Sequence, residues 1–227
     1  MRVILFGATG MVGQGALREC LADPQVERVL AVGRSPLETS HPKLRQLRIE
    51  SFLDYSGVEA ELAGFDACFF CLGVSSAGMT EAAYQHVSYD FTLAAAQTLA
   101  RLNPGMSFLY VSGAGTDSSG SGRIMWARVK GRTENALLGL PFKAAYMLRP
   151  GFIQPLHGIR SRTRLYRVIY ALAGPLVPLL KRLAPGLVLT TEELGRAMIR
   201  IARDGYGQSI LEVGDIRRAL ARPIPEA

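Results

Sequence analysis

Arg2-Val3-Ile4-Leu5-Phe6-Gly7-Ala8-Thr9-Gly10-Met11-Val12-Gly13 is a short apolar run that breaks into glycines and continues into Ala16-Leu17-Arg18-Glu19-Cys20-Leu21, a stretch with helical character. The order predicts a buried strand, a tight turn and a helix that starts on the turn. Glycines spaced by three in that context form the fingerprint of a dinucleotide-binding turn. Lacking a Cβ, they let the turn tighten, a ligand approach the backbone and the helix pack on the strand. The N–H groups and the positive dipole end of the helix then face a pyrophosphate. Gly7, Thr9, Gly10, Met11, Val12 and Gly13 are the first candidate cofactor contacts.

The chain next enters Arg28-Val-Leu-Ala-Val-Gly33-Arg34-Ser35, a second strand and its exit. A NAD-selective site usually carries an acidic side chain there to hold the ribose hydroxyls. A guanidinium and a hydroxyl instead suit a 2′-phosphate, which a carboxylate would repel. Arg34 and Ser35 therefore favour NADP over NAD, the plainer alternative being a solvent-facing arginine. Lys43 to Ile49 alternates as a third strand, and Asp54 in its exit either contacts adenine or caps a helix starting near Tyr55. A fourth strand ends in Cys71-Leu72-Gly73-Val74, where the glycine admits the middle of a cofactor, and Ser75, Ser76 and Gly78 follow.

Thr80 to Leu102 reads as one long helix, with Ala82, Val87, Phe91, Ala95, Thr98 and Leu102 near helical spacing. The fifth strand, Ser107 to Ser112, runs into the Gly/Ser stretch 113–122, either a mobile active-site loop or a connector. A helix from Arg123 to Leu138 and a sixth strand, Lys143 to Arg149, complete the alternation. Thr190-Thr191-Glu192-Glu193 starts a helix with a hydroxyl cap that runs to about Arg203, Gly207 to Val213 returns as a strand, and Arg217 to Ala227 is a loosely held tail.

This alternation predicts an α/β, doubly wound, Rossmann-like parallel sheet with helices on both faces. Ligands of such sheets bind beyond the carboxyl ends of the strands. The glycine turn, Arg34, Cys71-Leu72-Gly73, Ser112 and Pro150-Gly151-Phe152-Ile153 converge on that rim. With 227 residues, the chain is expected to form a single domain, its core about 1–151 plus about 190–214, with a substrate-covering lobe at about 152–189. The charge-free run in the lobe, Val168 to Leu180, has 13 residues and is broken by Pro175 and Pro178. It falls short of the ~20 residues that span a bilayer. An apolar lid over the cofactor is the first reading of the lobe; a peripheral membrane or protein contact through 160–183 and an oligomer interface are the others.

The net charge of +7 is concentrated late, at Arg160, Arg162, Arg164, Arg167, Lys181 and Arg182, without a nucleic-acid motif, and no nucleic-acid partner is expected. Cys68 and Cys71 have CxxC spacing, but on a strand residues three apart point to opposite faces, so both read as buried thiols and no metal site is expected. Met1-Arg2 leads straight into the first strand, which points to a cytoplasmic protein.

Taken together, GATGMVG at 7–13, CLG at 71–73, YVSGAG at 110–115, VKG at 129–131 and RPG at 149–151 resemble an atypical member of the short-chain dehydrogenase/reductase superfamily, of the NAD-dependent epimerase/dehydratase-like kind. In CLG, VKGRTE and RPG the chain is similar to the Tat-interacting oxidoreductase-like branch. The resemblance implies hydride transfer between a nicotinamide and a small carbonyl or alcohol. It also implies a tyrosine acid/base four residues before a ribose-binding lysine, and a serine that orients the carbonyl. Lys130 matches the lysine, but the tyrosine position holds Trp126, and the serine falls on Ser112 or Gly113. An indole donates a hydrogen bond and has no comparable acid/base function. Tyr84, Tyr110 and His157 are alternative proton donors, each with a plain structural reading: helix face, strand core and exposed loop. A non-catalytic NADP(H) sensor acting through a protein or membrane partner is the other function class this pattern allows.

Overall fold

The computed structural model describes residues 1–159 and 188–221. Its elements begin with β1 (Arg2–Phe6), α1 (Met11–Ala22), β2 (Arg28–Gly33) and β3 (Leu44–Arg48), followed by α2 (Glu59–Leu62), β4 (Ala67–Phe70), α3 (Glu81–Gln85) and α4 (Phe91–Leu102). They continue with β5 (Ser107–Val111), α5 (Met125–Leu138), β6 (Ala144–Arg149), β7 (Phe152–Gln154), β8 (Val188–Thr190), α6 (Thr191–Asp204), β9 (Ile210–Glu212) and α7 (Val213–Ala221). Seven strands form one sheet in the order β3-β2-β1-β4-β5-β6-β9, every pairing parallel. The expected doubly wound Rossmann-like fold is present. The order of strands reverses between β1 and β4, which places the switch-point crevice beside the glycine turn.

Strand alternation divides the core in two. Val3, Leu5, Val29, Ala31, Phe69 and Leu109 face α1 and α6, whereas Ile4, Phe6, Leu30, Val32, Phe70 and Phe108 face α4 and the end of α5. Cys68 belongs to the second face and Cys71 packs against the first, so the CxxC pair is split across the sheet as its spacing requires. Both thiols are free, and burial pushes Cys71 up to about 12.

Helix α6 starts as its sequence indicates. Thr190 Oγ1 accepts from Glu193 N at 3.0 Å and Glu193 Oε2 accepts from Thr190 N at 2.7 Å, a reciprocal capping box. Its apolar face, Leu194, Ala197, Met198 and Ile201, is buried beside α1. Two glycines set that approach: a Cβ on Gly15 would sit 2.7 Å from Thr191 Cβ, and one on Gly195 would sit 3.1 Å from Gly15 O.

Three expectations need correction. The single helix 80–102 is interrupted by a π turn at His86–Asp90, which leaves Ser88 O to accept from both Thr92 Oγ1 and Thr133 Oγ1, at 2.8 and 3.3 Å. The tail is not loose through 221, because α7 buries Val213, Ile216 and Ala219. The final strand is shorter than 207–213, spanning Ile210–Glu212. In addition, β7 and β8 pair in parallel as a separate small sheet. The lobe and the contact expected through 160–183 fall mostly on 160–187, outside the described residues. No helix among the described residues is long and apolar enough to cross a membrane.

Candidate dinucleotide site

Gly7 adopts φ +76°, a conformation that favours glycine, and a Cβ there would lie 2.6 Å from the Cys71 carbonyl and from Leu72 N. The turn after β1 thus presses directly against the exit of β4. Gly10 N donates to Gly7 O at 2.9 Å, and a Cβ on Gly13 would lie 2.1 Å from the same oxygen. Each fingerprint glycine is therefore used: one for the turn, one for its closure, one for seating α1 on it. Helix α1 begins at Gly10 with no side-chain cap and no acid in its first turn. Its positive end is open toward the rim, in contrast to α3 and α6, which Thr80 and Thr190 cap.

Beside the turn lies a cleft of about 340 Å³ that includes Gly7, Thr9, Gly33, Arg34, Ser35 and Leu72 in its wall. Arg48, near the end of the third strand, and Phe52, in its exit, also line it, although their sequence alone marks neither as a site residue. Arg34 lies over the Phe52 ring, its Cζ 5.3 Å from the centroid. Asp54 Oδ1 accepts from Ser56 N at 2.9 Å, a local turn ahead of the short helical turn Ser56–Val58, whose N-cap position is Tyr55 and carries no side-chain cap. Gly73 borders open space, with no atom within 4 Å of a Cβ built on it.

At the other end of the rim, Ser112 N donates to Leu148 O at 2.7 Å and Ala114 N to Pro150 O at 2.9 Å, so the exits of β5 and β6 stay paired beyond the strands. Ser112 is buried and its Oγ lies 2.9 Å from Thr116 Oγ1. Lys130 Nζ donates to Val111 O at 3.3 Å and Ser112 O at 3.2 Å and lies 5.1 Å from the Tyr110 ring centroid. Burial holds the Lys130 ammonium down at about 8, with Glu134 opposing that shift. Trp126, one helical turn before Lys130, covers the following loop: a Cβ on Gly115 would lie 3.7 Å from its ring.

Stretch 113–122 has the ties of a connector rather than those of a free loop. Asp117 Oδ1 accepts from Ser119 N at 3.0 Å, Asp117 Oδ2 accepts from Gly122 N at 2.6 Å, and Gly131 has no Cβ where Asp117 O passes within 1.7 Å of that position. Arg149, at the end of β6, donates to Ser118 Oγ at 2.6 Å and forms a two-pronged pair with the fully buried Glu134 at 2.5 and 3.0 Å. Of the other proton-donor candidates, Tyr84 and Tyr110 are buried, and burial pushes the Tyr110 phenol far above its ordinary range. His157 Nε2 lies 2.9 Å from Glu192 Oε2, so it is engaged at the start of α6. Phe152 and Ile153 lie in β7, after Pro150 and Gly151 at the exit of β6.

No family model matches the chain. Among curated proteins, it is 27% identical over 229 residues to fmp52-2, mitochondrial, of Aspergillus oryzae, covering 94% of both chains. It is 27% identical over 154 residues to HTATIP2 of Rattus norvegicus, covering 66% of this chain and 62% of that protein. Among solved structures, a short chain dehydrogenase family protein from Francisella tularensis matches with TM-score 0.64 at 14% identity, covering 90% and 91% of the two chains. The Bordetella bronchiseptica enzyme WbmF in complex with NAD+ matches with TM-score 0.66 at 16% identity, covering 96% of this chain and 76% of that one. The resemblance to atypical short-chain dehydrogenase/reductases, with a Tat-interacting relative among them, stands. One expectation is overturned: fungal relatives from Aspergillus, Chaetomium and Emericella carry mitochondrial names, against the cytoplasmic reading. A strand that begins at Arg2 speaks to the fold of that segment and carries no information on compartment.

Proposed function

We propose that this atypical short-chain dehydrogenase/reductase relative binds NADP(H) in preference to NAD(H) across the carboxyl ends of its strands and serves as an oxidoreductase for a small carbonyl or alcohol. The observation that carries the binding is the turn 7–13, where Gly7 and Gly13 have no room for a Cβ and the helix end is open to an anion. WbmF, which shares the fold, is in complex with NAD+. When bound, the nicotinamide supplies or accepts a hydride.

This chain's residues divide the remaining work. Gly7, Thr9, Gly10, Met11, Val12 and Gly13 hold the pyrophosphate, and Arg34 with Ser35 holds the 2′-phosphate. Cys71, Leu72 and Gly73 support the middle of the dinucleotide, while Pro150, Gly151, Phe152 and Ile153 border its nicotinamide end. Lys130 serves the ribose, and its ammonium, held at about 8, can exchange a proton near neutral pH where Trp126 cannot. Ser112 orients the reacting oxygen once its hydroxyl turns from Thr116.

Trp126 also favours a second reading, an NADP(H) sensor without turnover. One screen of carbonyl substrates with wild type and Trp126→Tyr separates the two. Turnover by wild type supports the oxidoreductase and removes the sensor; activity only in the variant does the reverse.

A further inference from the structure

We propose that Arg48 and Phe52 complete the 2′-phosphate site with Arg34: Arg48 as a second cation for the phosphate, Phe52 as the platform that aims Arg34. The inference rests on the NADP reading above and extends it to two residues on a different segment of the chain. Parallel pairing places Arg48 opposite Gly33, the residue before Arg34. Both arginines line the cleft beside the glycine turn, and both line the adjoining notch with Ile49 and Glu50.

Neither guanidinium has a hydrogen-bond or ion-pair partner among the described residues, and Glu50 is not paired with either. Several arginines elsewhere are committed, Arg128 and Arg132 to Glu81, Arg149 to Glu134 and Arg196 to Glu19. Arg28, Arg45 and Arg123 also lack such a partner among the described residues, but only Arg34 and Arg48 line the cleft beside the glycine turn. Two uncommitted cations on one wall favour an anion with several oxygens, since each planar fork can bind two of them. A 2′-phosphate offers that; the hydroxyls of a NAD ribose do not.

Phe52 is 3% exposed and is held between Phe6 and Phe91, with centroids at 6.5 and 5.4 Å. A ring fixed on both sides limits where the Arg34 guanidinium can lie above it. That reduces the side-chain freedom lost when an anion binds. Phe52 is thus a positioning residue acting through Arg34.

The test is dissociation constants for NADPH, NADH, 2′,5′-ADP and 5′-ADP by calorimetry at fixed salt. Wild type and Arg48→Gln, Arg48→Lys, Phe52→Leu and Phe52→Tyr are compared. Loss of a charge-assisted contact should weaken NADPH and 2′,5′-ADP roughly 10- to 100-fold in Arg48→Gln, leaving NADH and 5′-ADP within about twofold. Arg48→Lys should recover part of the loss. Phe52→Leu should weaken only the 2′-phosphorylated ligands, by about two- to fivefold, and Phe52→Tyr should restore them. Equal weakening of all four ligands, or of none, in Arg48→Gln overturns the role of Arg48. The same pattern in Phe52→Leu overturns the platform. Wild type binding NADH as tightly as NADPH overturns the underlying NADP reading itself, an outcome visible before any variant is made.

Discussion

Gly13→Ala tests the packing of the phosphate turn because two physical effects predict opposite signs for it. Gly13 is the third residue of α1, and helix propensity alone makes alanine better than glycine there by about 1 kcal/mol. Against this, the new methyl would lie 2.1 Å from Gly7 O, 2.6 Å from Gly7 C and 2.9 Å from Ala8 Cα, all backbone atoms of the turn. Reaching ordinary contact requires the turn or the helix to move by roughly 1 Å. Overpacking of this sort costs about 1–3 kcal/mol. Set against the propensity gain, the clash with three backbone atoms puts the net loss toward about 2 kcal/mol, read as a melting temperature lower by about 4–8 °C at about 2–4 °C per kcal/mol for a chain of this size. Gly73→Ala is the comparison, since a Cβ there meets no atom within 4 Å and should leave melting within about 1 °C, while lowering dinucleotide affinity because it fills space on the cofactor side. A Gly13→Ala protein that melts at or above the wild-type temperature would refute the reasoning.

Other consequences follow from the charged groups. Arg149→Met strands the buried Glu134 carboxylate and should cost about 3–5 kcal/mol in urea unfolding, with much of it recovered in the double variant Arg149→Met/Glu134→Leu. Failure of the second change to recover stability would show that Arg149 acts by some other contact. Lys130 is held at about 8 against an ordinary 10.5, so between those values the unfolded chain binds more protons and stability rises with pH. Wild type should therefore gain on Lys130→Met by about 2–3 kcal/mol from pH 8 to pH 10.5, and a flat difference would contradict the depressed ammonium. Thr190→Ala removes a capping-box acceptor and should cost about 1 kcal/mol, measured by the same unfolding curves.

The parts of the fold that were legible from sequence were those where one local pattern decides the matter. Alternating apolar segments located β1 to β6, and the glycine spacing located the turn, because both signals reside within a dozen neighbouring residues. The π turn at 86–90 was invisible, since one extra residue in a helix leaves the apolar spacing from Ala82 to Leu102 almost unchanged. Helix α7 was legible in principle: Val213, Ile216, Ala219 and Leu220 carry helical spacing, but the prolines beyond them suggested a tail. Arg48 and Phe52 could not be assigned from sequence, because their relation to Arg34 exists only through the β2–β3 register and the cleft it forms. The split of Cys68 and Cys71 across the sheet was readable from strand geometry alone.

The central claim is that the rim around Gly7 to Gly13 binds NADP(H) through the open end of α1 and the arginine wall. Fluorescence titration of the whole chain with NADPH and NADH tests it most directly. Both should bind saturably, with NADPH at least about tenfold tighter, as one charge-assisted phosphate contact requires. Absence of saturable binding, or NADH binding as tightly as NADPH, would contradict it.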